Sequence, residues 1–477
     1  MTARSVLAID QGTTGTKAHC LREDGGFETL GGFEHRQIFP QPGWVEHDPE
    51  ELITHIGNCL ELGGDVAAIG IDNQGETVIA WDAESKRPIY NAIVWQDART
   101  EDAIQRLKAA GAEAETLQRA GLPLDPYFSA SKLRWLLDHV PEARTLRQLG
   151  RLRLGTSDSF FLDRLAGSYI TDVTTASRTS LMNLETLSWD PVLCDLFGVP
   201  IDCLPKIGST AGDLAEINDI SVTASMVDQQ AALFGHGCRK LGDAKITFGT
   251  GAFALAIAGD KPLRDAASGL LPTVAWQIGD APCTYALDGG VYNAASAINW
   301  ARNLGLFSDY AEIEQFLAAA AISRKLAFVP ALSGLGCPYW DRTAAGLWLG
   351  LGLDTSKADL MQAVLEGIAL RAGEVIRAMA KLVPIADQLS IDGGVTRNAY
   401  FCDFLAAVLD RYLTLPSTAE LTGLGAAQFA LIGAGLATID TLPPAPPASR
   451  IVTAEAALPA DLIARFADAV SRCRNWR

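Results

Sequence analysis

A strand that runs straight into a small-residue turn of glycine and threonine occurs twice in this chain, once in each half. The first copy is Asp10-Gln11-Gly12-Thr13-Thr14, after an apolar run from Ser5, and the second is Thr247-Phe248-Gly249-Thr250-Gly251, after Ala244 to Phe248. Glycine lets the backbone approach a bound group closely, and the turn supplies amides and threonine hydroxyls as donors. One copy alone reads as a hairpin turn. Two donor-rich loops facing each other across a cleft would hold the β and γ phosphates of a nucleotide from both sides, as phosphoryl transfer requires. Lys17 adds a positive charge beside the first loop, and Asp10 stands at the strand end where it could orient a hydrated Mg²⁺.

The elements around these loops repeat as well. The N-terminus reads as an antiparallel meander: Ser5 to Asp10, a Gly/Thr turn from Gln11 to Thr16, Lys17 to Leu21, the turn Asp24-Gly25-Gly26, then Phe27 to His35. A helix follows with Asp48 as N-cap, Pro49 at its first position and Glu51 three beyond the cap, and it runs to about Leu62. Strands come next at Val66 to Asp72 and Thr77 to Trp81, and helical periodicity at Thr100 to Ala120 and Ser131 to His139. The second half has strands at Ala244 to Phe248 and Ala252 to Ala258, and helices at Asn293 to Asn303 and Ala358 to Leu382. After these come a strand from Gln388 to Asp392, a Gly393-Gly394 turn and a helix from Ala399 to Leu409. A boundary near Arg239 divides the chain into 1–239 and 240–477, two α/β layered domains with a cleft between them.

Charge narrows the partners. Against 39 Lys and Arg stand 56 Asp and Glu, a net of −17, which repels phosphate backbones and anionic lipid. Nucleic acid is therefore not an expected partner. Nine cysteines without a CxxC pair fit reduced thiols in a cytosol, and six histidines without HExxH do not make a zinc site. The longest apolar stretch, Gly423 to Ala437, is too short to cross a bilayer and carries Gln428, and Asp10 interrupts the N-terminal apolar run before it reaches signal-peptide length. A cytoplasmic protein without membrane insertion is expected, with a homodimer as its oligomeric state.

Two phosphate-binding patterns are set aside. Gly12 to Lys17 lacks Walker A spacing. Gly249-Thr250-Gly251-Ala252-Phe253-Ala254 fits GxGxxG/A, but that pattern demands a helix next, and here Gly259-Asp260-Lys261-Pro262 soon ends the run.

Two long stretches carry a resemblance. Tyr127-Phe128-Ser129-Ala130-Ser131-Lys132-Leu133-Arg134-Trp135-Leu136-Leu137-Asp138-His139, and Gly346 through Glu366 ending Asp359-Leu360-Met361-Gln362-Ala363-Val364-Leu365-Glu366, resemble the two signatures of the FGGY-family carbohydrate kinases. Within that family the chain is most similar to the glycerol kinases. The resemblance implies two ribonuclease-H-like domains of the actin, Hsp70 and hexokinase type around an interdomain cleft. It also implies ATP and Mg²⁺ as cofactors and a small polyol or sugar as acceptor.

Residue by residue, the resemblance makes Asp228 the general base that takes a proton from the attacking hydroxyl. Chemistry agrees, since a neutral alcohol is a poor nucleophile and a positioned carboxylate contributes ~10²–10⁴-fold. Without the resemblance, Asp228 reads first as a helix N-cap with Gln229 and Gln230 in the first turn, and the two roles can coexist. The acceptor set implied is Gly75, Glu76, Trp95, Tyr127, Asp228, Gln229 and Phe253. The nucleotide set is Gly12, Thr13, Thr14, Lys17, Thr250, Gly251, Asn299, Gly394 and Asn398, and the metal-facing carboxylates are Asp10 and Asp228. Glycerol kinases carry Asn-Gln-Arg-Glu-Thr where this chain reads Asn73-Gln74-Gly75-Glu76-Thr77, and arginine where Ala98 stands. The missing guanidinium removes up to five donors, so another group or water replaces it, or the acceptor is longer. Glycerol is the first expected acceptor, with an erythritol, pentitol, ribulose or xylulose kinase as the alternative and a non-metabolic actin/Hsp70-type ATPase as a remote one.

Overall fold

The computed structural model describes residues 4–443 and 445–477. Its frame is a pair of sheets with the same plan. In the first, Ser5–Gln11 pairs antiparallel with Gly15–Arg22, which pairs antiparallel with Phe27–Glu34; on its other side Ser5–Gln11 runs parallel to Ala68–Asn73, and that strand to Ile220–Val227. In the second, Ala244–Phe248, Ala252–Gly259 and Thr284–Val291 form the meander, and Gln388–Asp392 and Tyr412–Pro416 are the parallel strands. The repeated Gly/Thr turns thus mark a repeated topology. Both lie at the carboxyl ends of the parallel strands, where open α/β sheets present their ligands.

Alternation along the first strand explains how both of its faces are covered. Leu7 and Ile9 join Leu52, Ile56 and Cys59 of the helix Pro49–Gly63, while Val6 and Ala8 join Leu424, Ala427 and Leu431 of the helix Leu421–Gly433. Side chains of a strand point alternately to opposite faces, so an uninterrupted apolar run needs cover on both.

The second of those covering helices comes from the far end of the chain. In exchange, the helix Asp228–Gly235 of the first half lies on the second sheet, where Phe234 meets Trp276 edge-on at 5.2 Å and Gln230 Nε2 donates to Thr273 Oγ1 at 3.2 Å. The two exchanged helices touch through Gly235 and Gly425. A Cβ on either would run into the facing helix's backbone, at Leu421 or Ala231.

A smaller sheet built on Val78–Asp82 and Leu152–Thr156, with the helix Ser129–His139 against it, forms the outer part of the first half. Two expectations are corrected here. The helix expected over Thr100 to Ala120 is two helices, Glu101–Ala109 and Glu113–Arg119, because the chain turns at Gly111 with φ +78. The helix expected over Ala358 to Leu382 spans Lys357–Met379, with Ser356 as its cap. After Gly251 the chain continues as the strand Ala252–Gly259 and not as a helix, which excludes a dinucleotide-binding unit there.

Candidate active site

The two loops are closed by their own backbones. Gly12 N–H donates to Gly15 O at 3.0 Å, Thr13 Oγ1 accepts from Trp95 Nε1 at 2.9 Å, and Thr14 is exposed. In the second loop the carbonyls of Gly249 and Thr250 accept from Ala295 and Ala294 at 3.0 and 2.9 Å, which seats the helix Ala295–Asn303 and leaves the Thr250 side chain exposed. Gly251 is buried behind it. Gly393, at φ +96, passes under this loop so closely that a Cβ would collide with the Phe248 backbone.

Three carboxylates gather at the ends of the first sheet's strands. Asp10 and Asp72 are register neighbours on adjacent parallel strands, and Asp228 opens the helix that follows Ile220–Val227. Val227 is that helix's cap, so the N-cap reading of Asp228 is displaced by one residue and its carboxylate instead accepts from Gln229 N–H at 2.6 Å. Asp72 is fully buried, and among the described residues neither of its oxygens has a hydrogen-bond partner. Burial, then the charges of Asp10 and Asp228, push its pKa well up. Asp10 is pushed up to about 6 by burial, against the neighbouring Asp72 carboxyl and the charge of Lys17. Asp228 is pushed up to about 7 by burial, then by Glu76 and Asp10, against the Gln229 N–H and Lys245.

Among the described residues, the group whose ligand atoms lie close enough together to share a metal ion is Asp10, His19 and Glu420, and a divalent cation at Asp10 would also supply charge beside the orphaned oxygens of Asp72. Lys17 stands at the mouth of this group but does not project freely. Its Nζ lies 2.8 Å from each oxygen of Glu420, so a phosphate would have to share it with that carboxylate.

All seven residues of the expected acceptor set, Gly75, Glu76, Trp95, Tyr127, Asp228, Gln229 and Phe253, line one cavity of about 160 Å³. Trp95 and Tyr127 meet edge-on at 5.6 Å. Glu76 is buried with φ +58, a backbone state that costs a non-glycine residue ~1–3 kcal/mol and concentrates at functional sites. Its carboxylate accepts from Arg178 Nε at 2.6 Å. Gln229 Oε1 accepts from the buried Lys245 at 2.7 Å, which also donates to Thr247 Oγ1 at 3.0 Å. Burial pulls the Lys245 pKa down, and Asp392, Asp228 and Asp288 oppose that.

Sequence reasoning missed Arg178, Asp288, Lys245 and Asp72 as parts of this site. The guanidinium absent at position 75 is present from elsewhere, because Arg178 lines the same cavity. Position 75 itself is tight, since a Cβ there would lie 3.0 Å from Val227 Cγ1. Arg99, beside Ala98, does not compensate: it is spent on Glu46 at 2.7 Å and Asp97 at 2.8 Å and stacks on Trp44 at 3.8 Å. Nothing local marks Arg178 as functional, although the turn that carries it is well defined. Asp172 caps the short helix Val173–Ala176, accepting from Thr174 and Thr175 N–H at 2.8 Å each, and Arg178 leaves that turn.

A separate cavity of about 480 Å³ gathers Asn299, Gly394 and Asn398 with the apolar walls Ile298, Ile313 and Val395. Asn398 is held in place by two bonds of its amide. Its Oδ1 accepts from Phe401 N–H and its Nδ2 donates to Ile313 O, both at 2.7 Å. Among the described residues no helix is long and apolar enough to cross a membrane.

Comparison with known proteins gives a consistent picture. Residues 5–235 match the FGGY family of carbohydrate kinases, N-terminal domain, and residues 244–434 match the C-terminal domain of the same family. Glycerol kinases of Citrifermentans bemidjiense and Nocardia farcinica are 42% and 43% identical over 91% of this chain, and over 91% and 90% of their own lengths. The crystal structure of Plasmodium falciparum glycerol kinase with ADP superposes with a TM-score of 0.89 at 28% identity, covering 99% of this chain and 98% of that one.

Proposed function

The chain belongs to the FGGY family of carbohydrate kinases, and from that premise we propose that it transfers the γ-phosphoryl group of ATP to a primary hydroxyl of glycerol. The observation that carries this reading is a half-buried carboxylate, Asp228, facing a cavity of about 160 Å³ whose other walls are mainly polar groups and aromatic rings. A cavity of that size and lining suits a short polyol, with hydroxyls on the polar groups and carbons on Trp95 and Phe253.

In the reaction, Asp228 accepts the acceptor's hydroxyl proton as that oxygen bonds the γ-phosphorus and the bond to the β–γ bridging oxygen breaks, releasing ADP. Glu76 and Gln229 orient the acceptor, the first fixed by Arg178 and the second by Lys245. Thr13, Thr14 and Thr250 are the phosphate donors together with the loop backbone at Gly251, and Gly12, whose N–H is held by Gly15 O, shapes the first loop around them. Gly394 and Asn398 offer the wall for the base, with Asn299 beside the ribose or phosphates. Asp10, with Asp228 facing it, would hold a Mg²⁺, which would offset charge on the transferring phosphoryl oxygens. Approach of the two halves would exclude water, which otherwise competes with the alcohol. A cytoplasmic homodimer completes the proposal.

The test is ADP release by purified protein with MgATP across glycerol, dihydroxyacetone, erythritol, ribitol, xylitol, D-ribulose and D-xylulose. Glycerol should give the highest kcat/KM. A four- or five-carbon acceptor ahead of it would replace glycerol in this proposal, and ADP release indifferent to every alcohol would favour an acceptor-free ATPase.

Mg²⁺ should also raise the melting temperature, and by more at pH 8 than at pH 5.5. The folded pKa values of Asp10, Asp72 and Asp228 lie above the usual carboxylate range. The folded state therefore binds more protons than the unfolded chain, and stability is lost as pH rises through those folded values. A cation that binds the ionised carboxylates restores it. Thermal scans with and without Mg²⁺ that differ equally at both pH values would remove the carboxylates from the cation site.

A further inference from the structure

Two cavities meet at one partition. The inner one reaches Asp228 and Glu76; a second, of about 360 Å³, touches neither and opens along the seam between the halves past Pro126, Tyr292 and Trp340. Their shared walls are Trp95, Tyr127, Phe253, Arg178 and Asp288. Three of these are aromatic, and the other two are an ion pair that crosses from one half to the other.

Arg178 follows the helix Val173–Ala176 of the first half, and Asp288 sits in the strand Thr284–Val291 of the second. Both are more than nine-tenths buried, at 4% and 8% exposure. Arg178 Nη1 lies 3.0 Å from Asp288 Oδ2, yet among the described residues neither Nη1 nor Asp288 Oδ1 has a hydrogen-bond partner of sound geometry. Glu76 takes only Nε. At the partition a buried guanidinium nitrogen and a buried carboxylate oxygen therefore both keep unused hydrogen-bonding capacity, a state that protein interiors avoid unless a ligand or water meets it.

We propose that Arg178 and Asp288 clamp the terminal hydroxyl of the acceptor, the one farthest from Asp228, and so set the acceptor length that the site takes. The inference rests on the polyol-kinase reading above. A hydroxyl donates and accepts at once, so it satisfies Nη1 and Oδ1 together, whereas a methyl group there leaves both unpaired. An acceptor with carbons beyond that hydroxyl has to part Arg178 from Asp288 to enter the outer cavity. Room is available there, so the restriction is the ion pair and not the volume behind it.

The measurement is kcat/KM for glycerol, propane-1,2-diol and erythritol, with the wild-type protein and with Asp288→Asn and Arg178→Lys. Asp288→Asn keeps the side chain's shape and the Glu76–Arg178 bond while removing the charge that holds the clamp. Wild-type protein should prefer glycerol over propane-1,2-diol by about 10- to 100-fold, the range for one hydrogen bond to a charged group. Asp288→Asn should raise KM for glycerol by about tenfold with a smaller change in kcat, and raise the erythritol-to-glycerol ratio of kcat/KM by about tenfold. Arg178→Lys should move both in the same direction, and ADP affinity should not change in either variant.

Equal use of glycerol and propane-1,2-diol by the wild-type protein would overturn the clamp, and that comparison needs no variant to fold. An unchanged erythritol-to-glycerol ratio in Asp288→Asn would overturn it too. Absence of acceptor-dependent ADP release from wild-type protein would instead overturn the function on which the clamp depends.

Discussion

Asp228→Asn is expected to lower kcat by about 10²–10⁴-fold while leaving nucleotide affinity nearly unchanged, because it removes a proton acceptor and little bulk. Its melting temperature at pH 8 should match or exceed that of the wild type, since a carboxylate whose pKa is pushed up to about 7 pays for ionisation there and an amide does not. Near-normal turnover in a folded variant would take the base role away from Asp228. The pH profile tests the same residue without a substitution at it. The base acts in its ionised form, so kcat/KM should fall tenfold per unit on the acid side as Asp228 takes up its proton, with the limb below about pH 7 because a Mg²⁺ held beside the carboxylate favours its charged form. After burial, Glu76 is the next cause of the raised value. Glu76→Gln should therefore move the acid limb to lower pH, whatever it does to acceptor affinity, and a limb that stays in place would break the electrostatic link between the two residues.

Lys245→Met should be the most destabilising substitution in the site, by about 3–5 kcal/mol, the usual result of removing one partner from a buried charged group. The ammonium is fully buried, donates to Gln229 and Thr247, and faces the carboxylates of Asp392, Asp228 and Asp288. Without it Gln229 Oε1 loses its donor and those carboxylates lose their counter-charge. The loss should be larger at pH 8, where they are ionised, than at pH 5.5. Any activity that survives should show its acid limb at higher pH, opposite to Glu76→Gln, because Lys245 is one of the groups that hold the Asp228 pKa down. Denaturation midpoints equal to the wild type at both pH values would show that Lys245 is not the counter-charge of this cluster.

The parts of the site that were legible in the sequence share one property, which is that each is signalled by its immediate neighbours. The Gly/Thr turns follow apolar strands, the Gly393-Gly394 turn sits between a strand and a helix, and the strand Gln388–Asp392 and helix Ala399–Leu409 fall where alternation and periodicity put them. Asp228 and the acceptor residues rest on resemblance to the family signatures, and the fold gathers them in one cavity. What was not legible depends on residues distant in sequence. Arg178 acquires meaning only beside Glu76 and Asp288, which the fold brings to it from two different strands' surroundings. Lys245 lies inside a run that reads as apolar, and its partners come from a helix start and a neighbouring strand. Asp72 closes a strand in an unremarkable way until Asp10 is set beside it by parallel pairing. Local periodicity also passed over Gly111, whose left-handed turn splits one expected helix into two.

The exchange of helices between the halves has a consequence for the order in which the molecule assembles. The inner face of the first sheet, with Val6, Ala8, Ala68 and Met226, is covered by the helix Leu421–Gly433. At about 5–20 residues per second, that helix leaves the ribosome roughly ten to forty seconds after the strand Ile220–Val227. Through that interval the first half carries a finished meander with one bare apolar face, so its folding is completed after synthesis of the second half and not during its own.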